Sequence, residues 1–315
     1  MITIATKVVE ATSRFARAQS TVAPTESTPF NLLPPCTLQL QPGQVIAINS
    51  HSSKKQHQTS SEEWLKHFWH FSLAQEVCAD SQLGENGLRF WADLCGSFDK
   101  SIFLNLPTHS TLPQKRSPIG WRIKCSMDRL AAGTLLLILS PLLLVLMALV
   151  AITSPGPVFF RQWRVGEGGK LFQILKFRTM SVDAEQRHHQ VMGAREGLHK
   201  REDDPRITCV GQWRRKYSLD ELPQLINVLR GEMSLVGPRP WALYDALRIE
   251  PAGRMRLNAM PGITGAWQVS ARSTLTDLGA VNDLDLNYLR NWSLREDFKL
   301  LLLTIPKVFS GFGAC

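Results

Sequence analysis

Two neighbouring carboxylates, Asp220 and Glu221, stand in Ser218-Leu219-Asp220-Glu221-Leu222-Pro223-Gln224-Leu225. Arg214 and Arg215 precede them, and Arg239 follows in Gly237-Pro238-Arg239-Pro240. Acids bracketed by arginines suit a divalent metal ion and phosphates, because carboxylates hold the metal and guanidinium groups neutralise phosphate oxygens. A plainer reading uses the same residues. Ser218 with Glu221 three positions later is a capping-box pattern, and acids in a first helical turn complement the helix dipole. Pro223 bears on the choice. A cap at Ser218 buries Pro223 inside the helix, where it lacks an N–H and clashes with the preceding turn. A start near Leu222 leaves Asp220 and Glu221 on the entering loop, free to face a site. This window alone leaves both readings open.

Other candidates lie around this pair. In Phe172-Gln173-Ile174-Leu175-Lys176-Phe177-Arg178, Lys176 and Arg178 alternate with apolar neighbours, which places both cations on one face of a strand, either solvated or facing phosphate. Gly166-Glu167-Gly168-Gly169-Lys170 lacks the P-loop spacing and lies between two extended apolar pieces, so it reads as a hairpin. Pro261 to Ala271 reads as a turn and a strand leading to Arg272. His67 and His70, one helical turn apart, have no further ligand at matching spacing and read as packing residues. The cysteines (36, 78, 95, 125, 209 and 315) show no C-x-x-C spacing, which disfavours zinc and a disulfide framework.

The elements that must position these groups divide the chain in two. Residues 1 to about 60 are rich in Ser, Thr, Gln and Pro and read as loosely ordered. Ser61 to about Ala79 reads as an amphipathic helix, Gly87 to Ile102 as a second apolar segment, and Leu106 to Ser117 as a linker, so residues 1–115 form a partly disordered accessory region. No secretory signal is legible at the N-terminus. From Leu130 to Phe160 no residue is charged. At about 1.5 Å per residue its Leu-rich part, Leu130 to Ile152, is long enough to reach across a hydrocarbon core of about 30 Å. Ser140-Pro141 interrupts it, however, and both flanks are basic, with Arg122, Lys124 and Arg129 before and Arg161, Arg164 and Lys170 after. Basic flanks mark the cytoplasmic side, so a re-entrant helix-break-helix over about residues 126–153 fits better than a straight span. Asp183 to Asp204 is charged and reads as helical, with His188 and His189 facing solvent. Asp283, Asp285 and Tyr288 fall on a later helix, and Trp292 to Phe309 suits an interfacial helix.

A chain of 315 residues with net charge +9 and pI near 9.4 implies an anionic partner. Its basic residues flank the apolar run and form no recognised nucleic-acid module, which leaves membrane lipid and a phosphorylated substrate rather than nucleic acid.

Several blocks, in order, resemble the bacterial sugar transferases of the monotopic phosphoglycosyl transferase class. They are Ser140-Pro141, Thr153-Ser154-Pro155-Gly156-Pro157-Val158-Phe159-Phe160-Arg161-Gln162, Lys176-Phe177-Arg178-Thr179-Met180, Asp220-Glu221, Gly237-Pro238-Arg239-Pro240 and Pro261-Gly262-Ile263-Thr264-Gly265. The resemblance spans about Ile123 to Phe309. It implies an α+β, mostly helical fold, with a re-entrant membrane helix and interfacial helices around a small cytoplasmic catalytic core in residues 116–315. The implied reaction transfers a sugar-1-phosphate from a nucleoside diphosphate sugar, such as a UDP-sugar, to polyprenyl (undecaprenyl) phosphate at the bacterial inner membrane. Mg²⁺ takes part, nucleoside monophosphate is released, and exopolysaccharide or another surface glycan is begun. Asp220 is the implied nucleophile. On chemical grounds Glu221 joins it in metal binding or in the proton balance, and Lys176, Arg215, Arg239 and Arg272 are expected on phosphates. Ala271 stands where many members have Gly. The competing readings are a glycosyltransferase that moves the sugar without its phosphate, and a basic membrane scaffold.

Overall fold

The computed structural model describes residues 36–41, 44–49, 75–106, 117–182, 184, 187, 204–270 and 277–310. The order of elements follows the chain. First come β1 (Cys36–Gln41), β2 (Gln44–Asn49), β3 (Glu76–Asp80), α1 (Gly84–Ser97) and β4 (Ser101–Asn105). Next are α2 (Pro118–Ile138), α3 (Ser140–Thr153), the hairpin β5 (Phe159–Val165) and β6 (Leu171–Phe177), and α4 (Cys209–Lys216). Then follow α5 (Gln224–Arg230), β7 (Ser234–Val236), β8 (Trp241–Ala242), α6 (Leu243–Ala246), β9 (Gly262–Thr264), α7 (Ala266–Ser270), α8 (Leu278–Arg290) and α9 (Leu294–Ser310).

The accessory region carries a four-stranded sheet in the order β1-β2-β3-β4, with β1 antiparallel to β2 and the other pairs parallel. Two expectations change here. Glu76–Asp80 is strand β3 rather than the end of a helix, since Val77 and Ala79 alternate with half-exposed neighbours and are fully buried, the period of a strand. Residues 36–41 and 44–49, inside the segment read as loose, are paired strands. The expected helix over residues 61–74, with His67 and His70, lies outside the described residues, as do His188, His189 and most of the linker.

In the second region β6, β5 and β8 form one antiparallel sheet, and β7 pairs with β9 in parallel. The hairpin reading of the glycine loop holds: Gly168 and Gly169 take φ of 65° and 82°, left-handed values that a side chain disfavours. β6 is an edge strand, and the edge is closed by a side chain. Asn227, fully buried on α5, accepts from the Leu175 amide at 3.0 Å and donates to the Gln173 carbonyl at 2.8 Å, so it does the work of a neighbouring backbone. The strand expected through Pro261 to Arg272 is shorter than its pattern suggests: β9 ends at Thr264 and α7 begins at Ala266.

The helix that carries the start of the uncharged run, α2, begins at Pro118, earlier than expected, and the run breaks between Ile138 and Ser140 with a bend of 66° into α3. Pro141 removes the N–H that would bond the Leu137 carbonyl, and the Ser140 hydroxyl donates to that carbonyl at 2.8 Å. No single helix among the described residues is long and apolar enough to cross a membrane, but the bent pair together has the length and composition. Its outer side is apolar and bare, with Leu130, Leu137, Ile138, Leu144 and Ile152 exposed, and α9 bares Phe298, Leu302, Ile305 and Phe309.

The main core joins Trp121 and Ala132 of α2, Phe172 and Ile174 of β6, Leu225 and Val228 of α5, and Tyr288, Leu289 and Leu300 of α8 and α9. Within it lies a buried polar knot. Lys124 bridges Asp128 at 3.1 Å and Asp297 at 2.8 Å. Ser234 donates to Asp128 at 2.5 Å, while Tyr288 and Trp292 donate to Asp297 at 2.5 and 3.1 Å. Each carboxylate is thus paired and hydrogen-bonded, the condition on which buried charge is tolerated. The knot ties α2 to β7, α8 and α9.

Candidate functional site

Ser218 settles the local question at the Asp-Glu pair. Its φ is 52° and its hydroxyl makes no capping bond, so no capping box forms. Leu219–Glu221 is a single 3₁₀ turn, and α5 starts at Gln224 directly after Pro223. Asp220 and Glu221 therefore sit on the approach to a helix. The turn is pressed into place by the bent pair: Leu219 and Leu222, on either side of the acids, pack against Leu146 and Val150 of α3 and Phe177 of β6.

Around the acids the strands and α4 supply cations. Lys176, at the end of β6, donates to Glu221 Oε1 at 2.8 Å. Its ammonium pKa is pushed down by burial and by Arg239 and Arg164, while Glu221 and Asp220 pull it up. Arg215 of α4 has its Nε on Thr179 Oγ1 at 2.8 Å. Burial lowers its pKa against the opposing pull of Asp220, Asp204 and Glu221. Arg214 is almost wholly buried and spends one nitrogen on the Arg178 carbonyl at 2.7 Å, yet it too feels Asp220. Asp220 itself is buried. Lys176, Arg214 and Arg215 act on Asp220, Lys176 and Arg215 also on Glu221, and Arg164 and Arg239 repel Lys176, so partly desolvated positive charge gathers around the two carboxylates. Such a site favours anions with several oxygens, and phosphate is the common one.

Arg239 rides on the turn between β7 and β8, with its guanidinium 5.2 Å from the centre of the Trp267 ring. Gly237 is required there by close approach, since a Cβ would lie 2.5 Å from the Met260 carbonyl oxygen. The structure brings Asp220, Glu221, Lys176, Arg215 and Arg239 together; Arg272 lies outside the described residues. Arg178, expected beside Lys176, instead donates to the Ser154 carbonyl at 2.6 Å and anchors the exit of α3. Two site residues escaped the sequence reading. In the sequence Arg164 reads only as a basic flank, and the signal for it is its position on β5, paired with β6. Thr179, which holds Arg215, follows directly on Lys176-Phe177-Arg178 and offered no chemical signal of its own.

Among the described residues no three His, Cys, Asp or Glu side chains gather as a metal cluster. The carboxylates of Asp220 and Glu221 are the groups that could hold a metal. Two carboxylates completed by substrate phosphate oxygens and water match what Mg²⁺ accepts.

Comparison with known proteins gives a consistent result. A family model described as bacterial sugar transferase matches residues 119–311. The exopolysaccharide production protein ExoY of Sinorhizobium fredii is 40% identical over 226 residues, covering 68% of this chain and 99% of that protein. The UDP-glucose:undecaprenyl-phosphate glucose-1-phosphate transferase of Caulobacter vibrioides is 42% identical over 192 residues, 58% of this chain and 68% of that one. The galactosyl transferase CpsE of Streptococcus agalactiae is 46% identical over 165 residues, but the matched part spans 50% of this chain and only 36% of CpsE. With a family model matched across more than half its length and a relative aligned almost end to end, the chain belongs to the bacterial sugar transferase family and is a transferase.

Proposed function

We propose that the protein transfers a sugar-1-phosphate from a nucleoside diphosphate sugar to polyprenyl phosphate at the inner face of the bacterial cell membrane, as a first step of exopolysaccharide or surface-glycan assembly. One observation carries the reading: the buried carboxylate of Asp220 lies within the field of Lys176, Arg214 and Arg215, on a turn packed against the bent apolar helix pair. Donor and acceptor follow the names of relatives such as the Caulobacter transferase. The bare apolar side of the bent pair and of α9 supports docking in one leaflet, with the basic residues on the cytoplasmic side.

Chemically, an Asp220 oxygen attacks the sugar-proximal phosphorus. The bond from that phosphorus to the bridging oxygen breaks, and the electron pair leaves with nucleoside monophosphate. A phosphate oxygen of the polyprenyl phosphate then attacks the same phosphorus, which frees the Asp220 carboxylate and yields polyprenyl diphospho-sugar. Charge balances in both steps without proton transfer when the monophosphates are dianions. Lys176, Arg215, Arg239 and Arg272 neutralise phosphate oxygens that would otherwise repel the carboxylate. Mg²⁺ held by Asp220 and Glu221 supplies further charge neutralisation when bound. The Lys176–Glu221 pair keeps the ammonium charged against burial and fixes its direction.

The test is incubation with nucleotide sugar in the absence of acceptor, followed by peptide mass spectrometry. A phosphosugar adduct on Asp220, absent from Asp220→Asn, is expected, with activity of that variant down at least about 10³-fold. Full activity in Asp220→Asn would sink the covalent step. Release of diphosphate instead of monophosphate would favour sugar transfer without its phosphate.

A further inference from the structure

Arg256 and Asp285 form a buried ion pair that none of the chemistry above uses. Arg256 belongs to the 3₁₀ segment Pro251–Asn258 and Asp285 to α8; both side chains are buried and the guanidinium donates to the carboxylate. The guanidinium also lies 4.0 Å from the centre of the Trp241 ring. Burial raises Asp285 to about 6 and lowers Arg256 to about 10. Both directions mark a desolvation cost that apolar residues of similar volume would avoid.

What the pair touches explains its presence. A second contact of the Arg256 guanidinium is the Arg239 carbonyl, to which its Nη2 donates at 2.9 Å. The Arg239 amide in turn donates to the Asp285 carboxylate. One ion pair therefore grips Arg239 by both of its backbone polar groups. The neighbouring groups are also held: Gly237 donates to the Thr264 carbonyl at 2.9 Å, Pro238 accepts from the Gly262 amide at 2.8 Å, and Pro240 accepts from Arg164 at 3.1 Å. Pro238 and Pro240 have no N–H to satisfy, so every backbone donor of the turn is engaged.

We infer that Arg256 and Asp285 are positioning residues, which clamp the backbone of Arg239 so that its guanidinium is aimed at the donor phosphates before substrate arrives. The inference rests on Arg239 being a phosphate ligand in the function proposed above. A preset arginine contributes to binding without the cost of ordering it, and its misalignment by about 1 Å is felt chiefly in donor binding.

The experiment uses the full chain in membranes, with a nucleotide sugar that supports turnover and with polyprenyl phosphate, following monophosphate release. Arg256→Met combined with Asp285→Leu replaces the pair by apolar groups. The expected result is a melting temperature within a few degrees of wild type, kcat/KM for the nucleotide sugar at least about tenfold lower, and an unchanged KM for polyprenyl phosphate. Asp285→Asn, nearly isosteric, keeps the test alive if the double variant does not fold. Combined with Arg239→Ala, it should add less than about twofold to the loss from Arg239→Ala alone. Wild-type kcat/KM in the apolar variant, equal rises in both KM values, or losses that multiply with Arg239→Ala would overturn the clamp. A wild-type donor KM in Arg239→Ala also overturns it and leaves the proposed reaction standing. Failure of the wild-type protein to release monophosphate removes that reaction, and the clamp's purpose with it.

Discussion

At the scale of single residues, the site depends on side chains that do no chemistry. Asn227 is the clearest. Besides its two bonds to β6 it donates to Glu232 at 2.6 Å, and it sits on α5, the helix that follows the Asp220 turn. Asn227→Leu would leave the Leu175 amide and the Gln173 carbonyl without their partner, at about 1–3 kcal/mol for each buried unsatisfied group. A loss of about 2–4 kcal/mol in denaturant unfolding is expected, with transfer activity lowered beyond the loss of folded protein because Lys176 sits on the same strand. Unchanged stability would mean that β6 is held by β5 alone. The acids and their cations were legible in the sequence, since Asp220-Glu221 and Gly237-Pro238-Arg239-Pro240 are local strings. Asn227 and the Arg256–Asp285 pair were not. Their partners lie 52 and 29 residues away, and neither residue type announces such a bond in a helical pattern.

At the scale of elements, the break in the apolar run could be read because both of its parts are adjacent: the proline that frees a carbonyl and the serine that satisfies it. The elements misread were short. β3 falls in a window that reads as helix and α7 in one that reads as a continuing strand; alternation and helical spacing overlap there, and pairing with distant strands, not local preference, decides where a strand runs. The β5–β6 hairpin carries a titrating group in its turn. Burial raises the Glu167 carboxyl from 4.5 to about 7. Between those values the folded chain binds more protons than the unfolded chain, so this group's contribution to stability falls as pH rises through the window. Glu167→Gln should therefore stabilise relative to wild type at pH 8, by no more than about 3 kcal/mol, and have little effect at pH 4. Thermal melts at the two pH values decide it, and an equal change at both would show that the carboxyl's charge is not the cause.

At the scale of the molecule, the accessory sheet is joined to the transferase region. Trp163 of β5 donates to Asp93 of α1 at 2.7 Å, Phe103 of β4 bridges Lys170, and Gly169 passes so close to the Leu104 carbonyl that a Cβ there would lie 2.4 Å from its oxygen. The sequence divided the chain into two regions but could not give this contact, which depends on one glycine's backbone and one distant carboxylate. The buried knot of Lys124, Asp128, Ser234, Tyr288 and Asp297 has a further meaning once the bent pair is placed in a leaflet. Lys124 and Asp128 fix the base of α2, Asp297 fixes the base of α9, and Ser234 belongs to the strand that leads into the Arg239 turn. Neither apolar helix can tilt without breaking charged bonds away from water. Under the proposed function, the knot would make the bent pair a gauge of fixed depth, so that a thinner or thicker leaflet would shift the reaction centre relative to the acceptor's phosphate. Turnover in nanodiscs of graded acyl-chain length should pass through an optimum, and Asp297→Asn, which slackens the gauge, should flatten it.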